Sequence, residues 1–263
     1  EWTLHPSHFG NSIFFMDNLG AWKINGDSFK NEKLLDFKQI SENNEIGICT
    51  ATTTLSHDDL WWVFIMKFKE HQSLYILNTN NGATKKLTEK KNIYHPQFHP
   101  NDNNLIRYAG HLYEDRLWTI HRDGSENKQI YFRKPKEWVV HEVWHPFEKS
   151  NYTVIWPKGF YKINAEQNAR EALFEFNSWH ANFDNRGEYI VFDTVYPDTG
   201  LYLYSIAEKK FKKICNSNSS NQGVHWNTDH CPYDDQPVQV YPPQYTHPHP
   251  QFSPNRKLIA YTS

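Results

Sequence analysis

The 263-residue chain has only three cysteines, Cys49, Cys215 and Cys231, and none lies in a C-x-x-C spacing. Three thiols leave at least one unpaired and build neither a disulfide framework nor a zinc finger. Buried or incidental thiols in a reducing compartment are expected, with a Cys215–Cys231 bridge as the alternative. Glycine is scarce, at 11 residues, and no Gly-rich phosphate cradle follows a strand. There is no G-x-S-x-G elbow, so a serine hydrolase is unsupported. A basic excess is lacking as well: 28 Lys+Arg against 30 Asp+Glu give a formal charge of −2. That balance excludes a polycationic nucleic-acid binder, which needs surplus cations to neutralise phosphates. No window approaches 18 uninterrupted apolar residues, so no membrane-spanning helix is expected. The opening residues, EWTLHPSH, lack the basic-then-apolar pattern of a secretory leader; any leader is either cut away or was never there. Sustained 3.6-residue apolar periodicity is also missing, which leaves little room for helix.

Aromatic residues and histidine are what the chain has in abundance. Ten Trp, fifteen Tyr and seventeen Phe make 16% of the chain aromatic, a bias towards strands. With 38% hydrophobic residues the chain can build a core and is not a disordered polymer. Fifteen histidines are many for this length. A histidine can be a core filler, a cap or a metal ligand, so spacing has to decide.

The spacing shows a repeat. Segments beginning at His95, His141, His180 and His249 each open with histidine, carry an aromatic three residues later, turn, and continue as a short apolar strand. Weaker copies begin at His5 and near Thr52. The starts recur about every 40 to 50 residues, with a wider last interval of about 69. Between them, residues 73–88, 115–132, 159–176 and 200–215 each read as strand, polar turn, strand. Four strands per repeat of this length make the blade of a β-propeller, whose radial sheets leave only short edges. A two-sheet sandwich is the competing fold. We therefore expect an all-β propeller of four-stranded blades forming a single domain over 1–263. About six repeats are visible, with an insertion at about 217–245. The last repeat stops after two strands and the first begins abruptly, which suits a ring of seven blades in a longer protein.

The segment 249–263, HPQFSPNRKLIAYTS, resembles the first-strand motif of TolB-like propeller repeats, and LYILNTNNGATKKLT resembles their second half. That likeness implies a scaffold and not an activity. A narrower one lies in the last repeat. Gln244-Tyr-Thr-His247-Pro-His249, with a lone His180 about 60 residues upstream, resembles the oligogalacturonate lyase family. Three further stretches fit: His141-Glu-Val-Trp144, Arg116-Leu-Trp118 with Asp123-Gly-Ser125, and Tyr94-His-Pro-Gln-Phe-His-Pro100. Val143 departs from the aromatic usual there. The resemblance spans about 94–263, and the N-terminal third has diverged.

The resemblance implies a seven-bladed propeller that cleaves pectin fragments by β-elimination. It implies a divalent metal, typically Mn2+, held by His180, Gln244, His247 and His249. His141 would be the catalytic base and Arg116 a catalytic charge stabiliser, unless Arg116 is an ordinary strand-edge residue paired with Asp115 or Glu114. His95, His111 and Arg107 are weaker candidates for substrate contacts. The implied partner is an oligogalacturonate or related uronate oligosaccharide, with no nucleic acid and no membrane. The implied compartment is the cytoplasm, or the periplasm if a leader precedes Glu1. The rival functions are a non-enzymatic TolB-like binding propeller and a propeller lyase for another polyuronate such as ulvan.

Position in the repeat bears on the same residues independently. His95, His141, His180 and His249 stand at equivalent places, at the start of the strand that lines a propeller's channel. His247, two residues before His249, shares its strand face. Such residues converge on one histidine-rich pocket, although strand capping by the same histidines is the alternative. Three imidazoles and an amide oxygen leave coordination positions open and suit Mn2+, Fe2+, Zn2+ or Ni2+. A neutral ligand set also keeps the ion's full charge for an anionic substrate.

Overall fold

Short aromatic-rich runs separated by polar turns fold into consecutive antiparallel sheets, as the repeat predicts. The computed structural model describes residues 4–50, 52–111, 114–135, 137–195, 198–219 and 247–263. Among these, only Phe37–Gln39 are helical, a single 3-10 turn whose Lys38 N–H is capped by the Asp36 carboxylate. No described helix is long and apolar enough to cross a membrane. Cys49 and Cys215 are free thiols, and burial pushes Cys49 up to about 12; Cys231 lies outside the described residues.

The first sheet runs Leu4–Pro6, Ser12–Met16, Gly20–Asn25 and Asn31–Asp36 in sequence order. The second is built on Trp61–Lys67, Gln72–Asn78 and Thr84–Lys90, with Ile48–Cys49 and Thr54–Leu55 both pairing against Trp61–Lys67. Tyr94–His99, Asp102–Ala109, Leu117–His121 and Lys128–Tyr131 form the third. The fourth contains Trp138–Trp144, Asn151–Trp156, Gly159–Asn164 and Ala169–Phe174. Ala181–Phe183, Tyr189–Asp193, Leu201–Ser205 and Lys210–Cys215 form the fifth, and Gln251–Phe252 with Ile259–Ala260 a two-stranded last sheet. Each histidine-led repeat start opens one of these sheets, and each hairpin segment supplies the last two strands of one.

Burial follows strand order within a sheet. Trp61–Lys67 is buried on both faces: Trp62, Phe64 and Met66 enter one core cluster, while Val63 and Ile65 enter another. That is the period of two of a strand sandwiched between neighbours. Outer strands differ. Lys210–Cys215 is exposed along nearly its whole length and carries three lysines, a charged edge that discourages pairing with another chain.

The chain divides into two compact units, residues 1–111 with 117–129, and residues 112–116 with 130–263. The first holds two core clusters, one around Trp62 and Phe64 and one around Ile65 and Tyr108. The core of the second centres on Trp138, Trp156, Phe160, Trp179 and Phe192. Its rings pack at centroid distances such as 5.4 Å for Trp138–Trp156 and 4.9 Å for Phe174–Phe192.

Three of the repeat-start histidines share an unusual backbone. His95, His141 and His249 have φ of 47°, 50° and 43°, in the left-handed region that histidine tolerates better than most side chains. Register shifts accompany the first two, between Tyr94 and Gln97 and between Val140 and Glu142. A bulge of this kind re-aims a side chain relative to its strand. His180 is not left-handed, and its backbone is held in another way.

A buried-edge carboxylate in the first unit sets one stability prediction. Glu42 accepts from Tyr75 Oη at 2.7 Å and Lys86 Nζ at 2.9 Å, and its Oε2 lies 3.0 Å from His71 Nε2. Burial alone would raise its pKa, but these hydrogen bonds win and hold the carboxyl at about 2. The unfolded chain therefore takes the proton first as acid is added. Stabilisation from Glu42 is complete above about pH 4.5 and drains away as pH falls towards 2. Urea unfolding followed into acid should show Glu42→Gln with a flatter loss of stability than the unsubstituted chain; identical acid limbs would contradict the assignment.

Candidate metal centre

The strand Ala181–Phe183 begins immediately after His180, and Tyr189–Asp193 pairs with it so that Asp193 stands across from His180. Their backbones close a bridge, Asp193 N–H donating to the His180 carbonyl at 3.2 Å and Trp179 N–H to the Asp193 carbonyl at 3.0 Å. The Asp193 side chain folds back onto the same residue. Oδ1 accepts from the His180 N–H at 2.6 Å, and Oδ2 lies 2.7 Å from His180 Nδ1. Oδ2 is also 3.3 Å from the His249 N–H.

His247 and His249 reach this place on the segment that precedes Gln251–Phe252. Asn182 Nδ2 donates to the Pro250 carbonyl at 2.9 Å, and Asn185 Nδ2 to the Pro254 carbonyl at 2.8 Å. Arg256 ties the following turn down, with Nε 2.6 Å from Asp184 Oδ2. His180, His247 and His249 can each offer one ring nitrogen such that all three lie within 4.8 Å of one another. The His180 and His249 rings stack at 3.5 Å between centroids, and His247 lies 5.2 and 5.5 Å from them.

The donor chemistry fits a divalent transition ion. With Nδ1 2.7 Å from Asp193 Oδ2, His180 would meet a metal through Nε2, as in a carboxylate–histidine–metal arrangement. Burial pushes the fully enclosed Asp193 carboxyl up to about 7, opposed by the N–H groups of His180 and His249 and by the positive charge His249 and His247 can carry. A cation among the imidazoles would act in the same direction as those opposing groups and favour the carboxylate. Gln244, the fourth ligand expected from sequence, lies outside the described residues, as does most of the 217–245 insertion.

A second His/carboxylate group, Glu42, His71 and Glu89, does not compare. The Lys86 ammonium sits among its carboxylates, 2.9 Å from Glu42 and 2.7 Å from Glu89, where a metal ion would have to go. It is an ion-pair network.

Of two further residues expected from sequence, His141 borders the three-histidine group and Arg116 meets the first strand of the fourth sheet. The His141 ring is 4.3 Å from His180 and 4.3 Å, edge-on, from Trp179, itself 5% exposed. Arg116 is buried, and its Nε lies 2.5 Å from Oε1 of Glu142, the residue after His141. This contact joins residues 26 positions apart in the sequence. His95, His111 and Arg107 belong to the other compact unit. Arg107 there is wholly buried and donates from Nη2 to Gln97 Oε1, while His95 and His111 are half-buried.

Asp193 and Glu142 went unrecognised in the sequence. The one signal for Asp193 was a carboxylate closing the apolar run Tyr-Ile-Val-Phe in a repeat that opens with histidine. Glu142 carried the same kind of signal, an acid between Val140 and Trp144 on a buried strand.

No protein-family model matches the chain. Among curated proteins, the oligogalacturonate lyase of Dickeya dadantii is 23% identical over 251 residues, which covers 82% of this chain and 60% of that protein. Among solved structures, an oligogalacturonate lyase in complex with manganese superposes with a TM-score of 0.76 at 16% identity, covering 96% of this chain and 70% of that one. An oligogalacturonate lyase from Vibrio parahaemolyticus gives 0.78 at 19% identity, covering 99% of this chain and 73% of that one. At such identities the structural likeness establishes the fold, a β-propeller of four-stranded blades. The chain spans 60% of the length of the Dickeya relative. In sequence and in fold the chain is similar to oligogalacturonate lyases.

Proposed function

We propose that this protein is a metal-dependent polysaccharide lyase that cleaves short oligogalacturonates by β-elimination. The observation that carries the proposal is the trio His180, His247 and His249, with buried Asp193 against the His180 ring and His141 alongside, in a chain akin to oligogalacturonate lyases. His180, His247 and His249 would hold the ion, together with Gln244, and the manganese bound by the solved relative makes Mn2+ the first choice. Bound there, the ion supplies electrophilic charge for a uronate carboxylate.

The chain's own residues supply the rest. Elimination removes the proton on the carbon beside the carboxylate and expels the glycosidic oxygen from ring position 4. The electron pair of the C–H bond becomes the new C=C bond, and the pair of the C–O bond leaves with the oxygen. His141 takes the proton on a ring nitrogen, since imidazole titrates near neutrality and suits a general base. Arg116, with its guanidinium fixed by Glu142, stabilises the negative charge that builds on the uronate. Trp179 gives the pocket an apolar wall beside the base, which keeps water from competing for the proton.

Incubation with digalacturonate and Mn2+ tests the reaction class. The expected product carries a C=C conjugated to the carboxylate and absorbs in the ultraviolet. Binding of digalacturonate without that chromophore would favour a binding propeller, and a chromophore from ulvan alone would move the substrate to another polyuronate.

A further inference from the structure

Three nitrogens from two separate segments converge on one buried carboxylate. His180 N–H, His180 Nδ1 and His249 N–H approach the oxygens of Asp193 at 2.6, 2.7 and 3.3 Å. Capping a strand start needs one acceptor, and Asp193 Oδ1, accepting from the His180 N–H, already supplies it. The second oxygen instead faces the ring of one candidate ligand and the main chain of another. Isolated burial of a carboxylate is expensive, so a site that retains one uses it.

We propose that Asp193 is the positioning residue of the metal centre: it holds His180 as the Nδ1–H tautomer, baring Nε2, and ties the His249 main chain to the same anchor. This rests on the reading of His180, His247 and His249 as metal ligands. The two imidazoles arrive on different segments, just ahead of the strands Ala181–Phe183 and Gln251–Phe252, which belong to different sheets. One carboxylate with four lone-pair positions can serve all three donors at once. An amide cannot. In Asp193→Asn the NH2 group faces either the His180 ring or the His180 N–H, each of which is a donor. The cheaper relief is for His180 to move its ring proton to Nε2, so that Nδ1 accepts, and a protonated Nε2 cannot ligate.

Two readouts on the metal-stripped chain test this, neither of them activity. Free Mn2+ measured by electron paramagnetic resonance gives the affinity, and Asp193→Asn is expected to bind about 10- to 100-fold more weakly than the unsubstituted chain. Nitrogen-15 spectra of the histidine rings report the tautomer. His180 should carry its proton on Nδ1 in the unsubstituted chain and on Nε2 in Asp193→Asn, a change that a merely structural aspartate would not produce. If the unsubstituted chain fails to bind Mn2+, the metal reading itself fails. If it binds and Asp193→Asn binds equally well with the tautomer unchanged, Asp193 positions nothing and the inference is overturned. Should the variant not fold, the unsubstituted chain still decides: an Nε2–H tautomer at His180 contradicts the inference, and an Nδ1–H tautomer supports it.

Discussion

Replacing His141 by alanine is expected to lower kcat by about a hundred- to ten-thousand-fold, the range that general-base catalysis contributes. Mn2+ binding should be unchanged. The geometry separates the two readouts. His141 stands 4.3 Å from the His180 ring, close enough to serve a substrate held at the trio, yet the trio is complete without it. Its backbone is left-handed at φ 50°, with the ladder shifted between Val140 and Glu142, so its ring is aimed by a bulge and not by simple alternation. Kinetics on digalacturonate together with a metal titration check the split. Retained turnover in His141→Ala would remove the base assignment, and lost metal would move His141 into the ligand set.

The second large effect is expected at His249. Its ring stacks at 3.5 Å on His180, and its main chain hangs from Asp193. His249→Ala removes one of only three described imidazoles within reach of a common ion, while the N–H contact to Asp193 survives. Mn2+ affinity should fall by more than about a hundredfold, beyond what loss of an outer partner costs. Activity should fall with it and recover in part at high Mn2+. The measurement is metal content by mass spectrometry alongside a Mn2+ titration of activity. Full Mn2+ content in His249→Ala would exclude it as a ligand.

Much of this was legible from spacing. The histidine-led repeat marks the opening of the third, fourth, fifth and last sheets because a blade's first strand must start at the same structural place every time. His180, His247 and His249 could be grouped before any coordinates, since repeat register brings distant residues to one end of neighbouring sheets. What spacing could not show was the backbone. His95, His141 and His249 look equivalent to His180 in sequence, yet they are left-handed and His180 is not. That difference lies in the backbone, which the residue pattern does not carry; nor did the pattern show that the His180 N–H is held by Asp193 on the next strand. Arg116 is the parallel case. Its ion pair with Glu142, on the first strand of the fourth sheet, joins residues far apart in the chain and was not legible from spacing. Local sequence favours local partners, whereas buried charges pair with whatever the tertiary fold brings near. Gln244 cannot be judged in this way, because it lies outside the described residues.

The central claim is that this chain uses one ion, held by the three histidines, to eliminate across a uronate. Titrating the metal-stripped protein with Mn2+ while following the ultraviolet absorbance of unsaturated product from digalacturonate tests it most directly. The account predicts no product in chelator, and a rate that rises with occupancy and saturates at one ion per chain. Full-rate product in the presence of chelator, or complete Mn2+ binding with no unsaturated product, would contradict it.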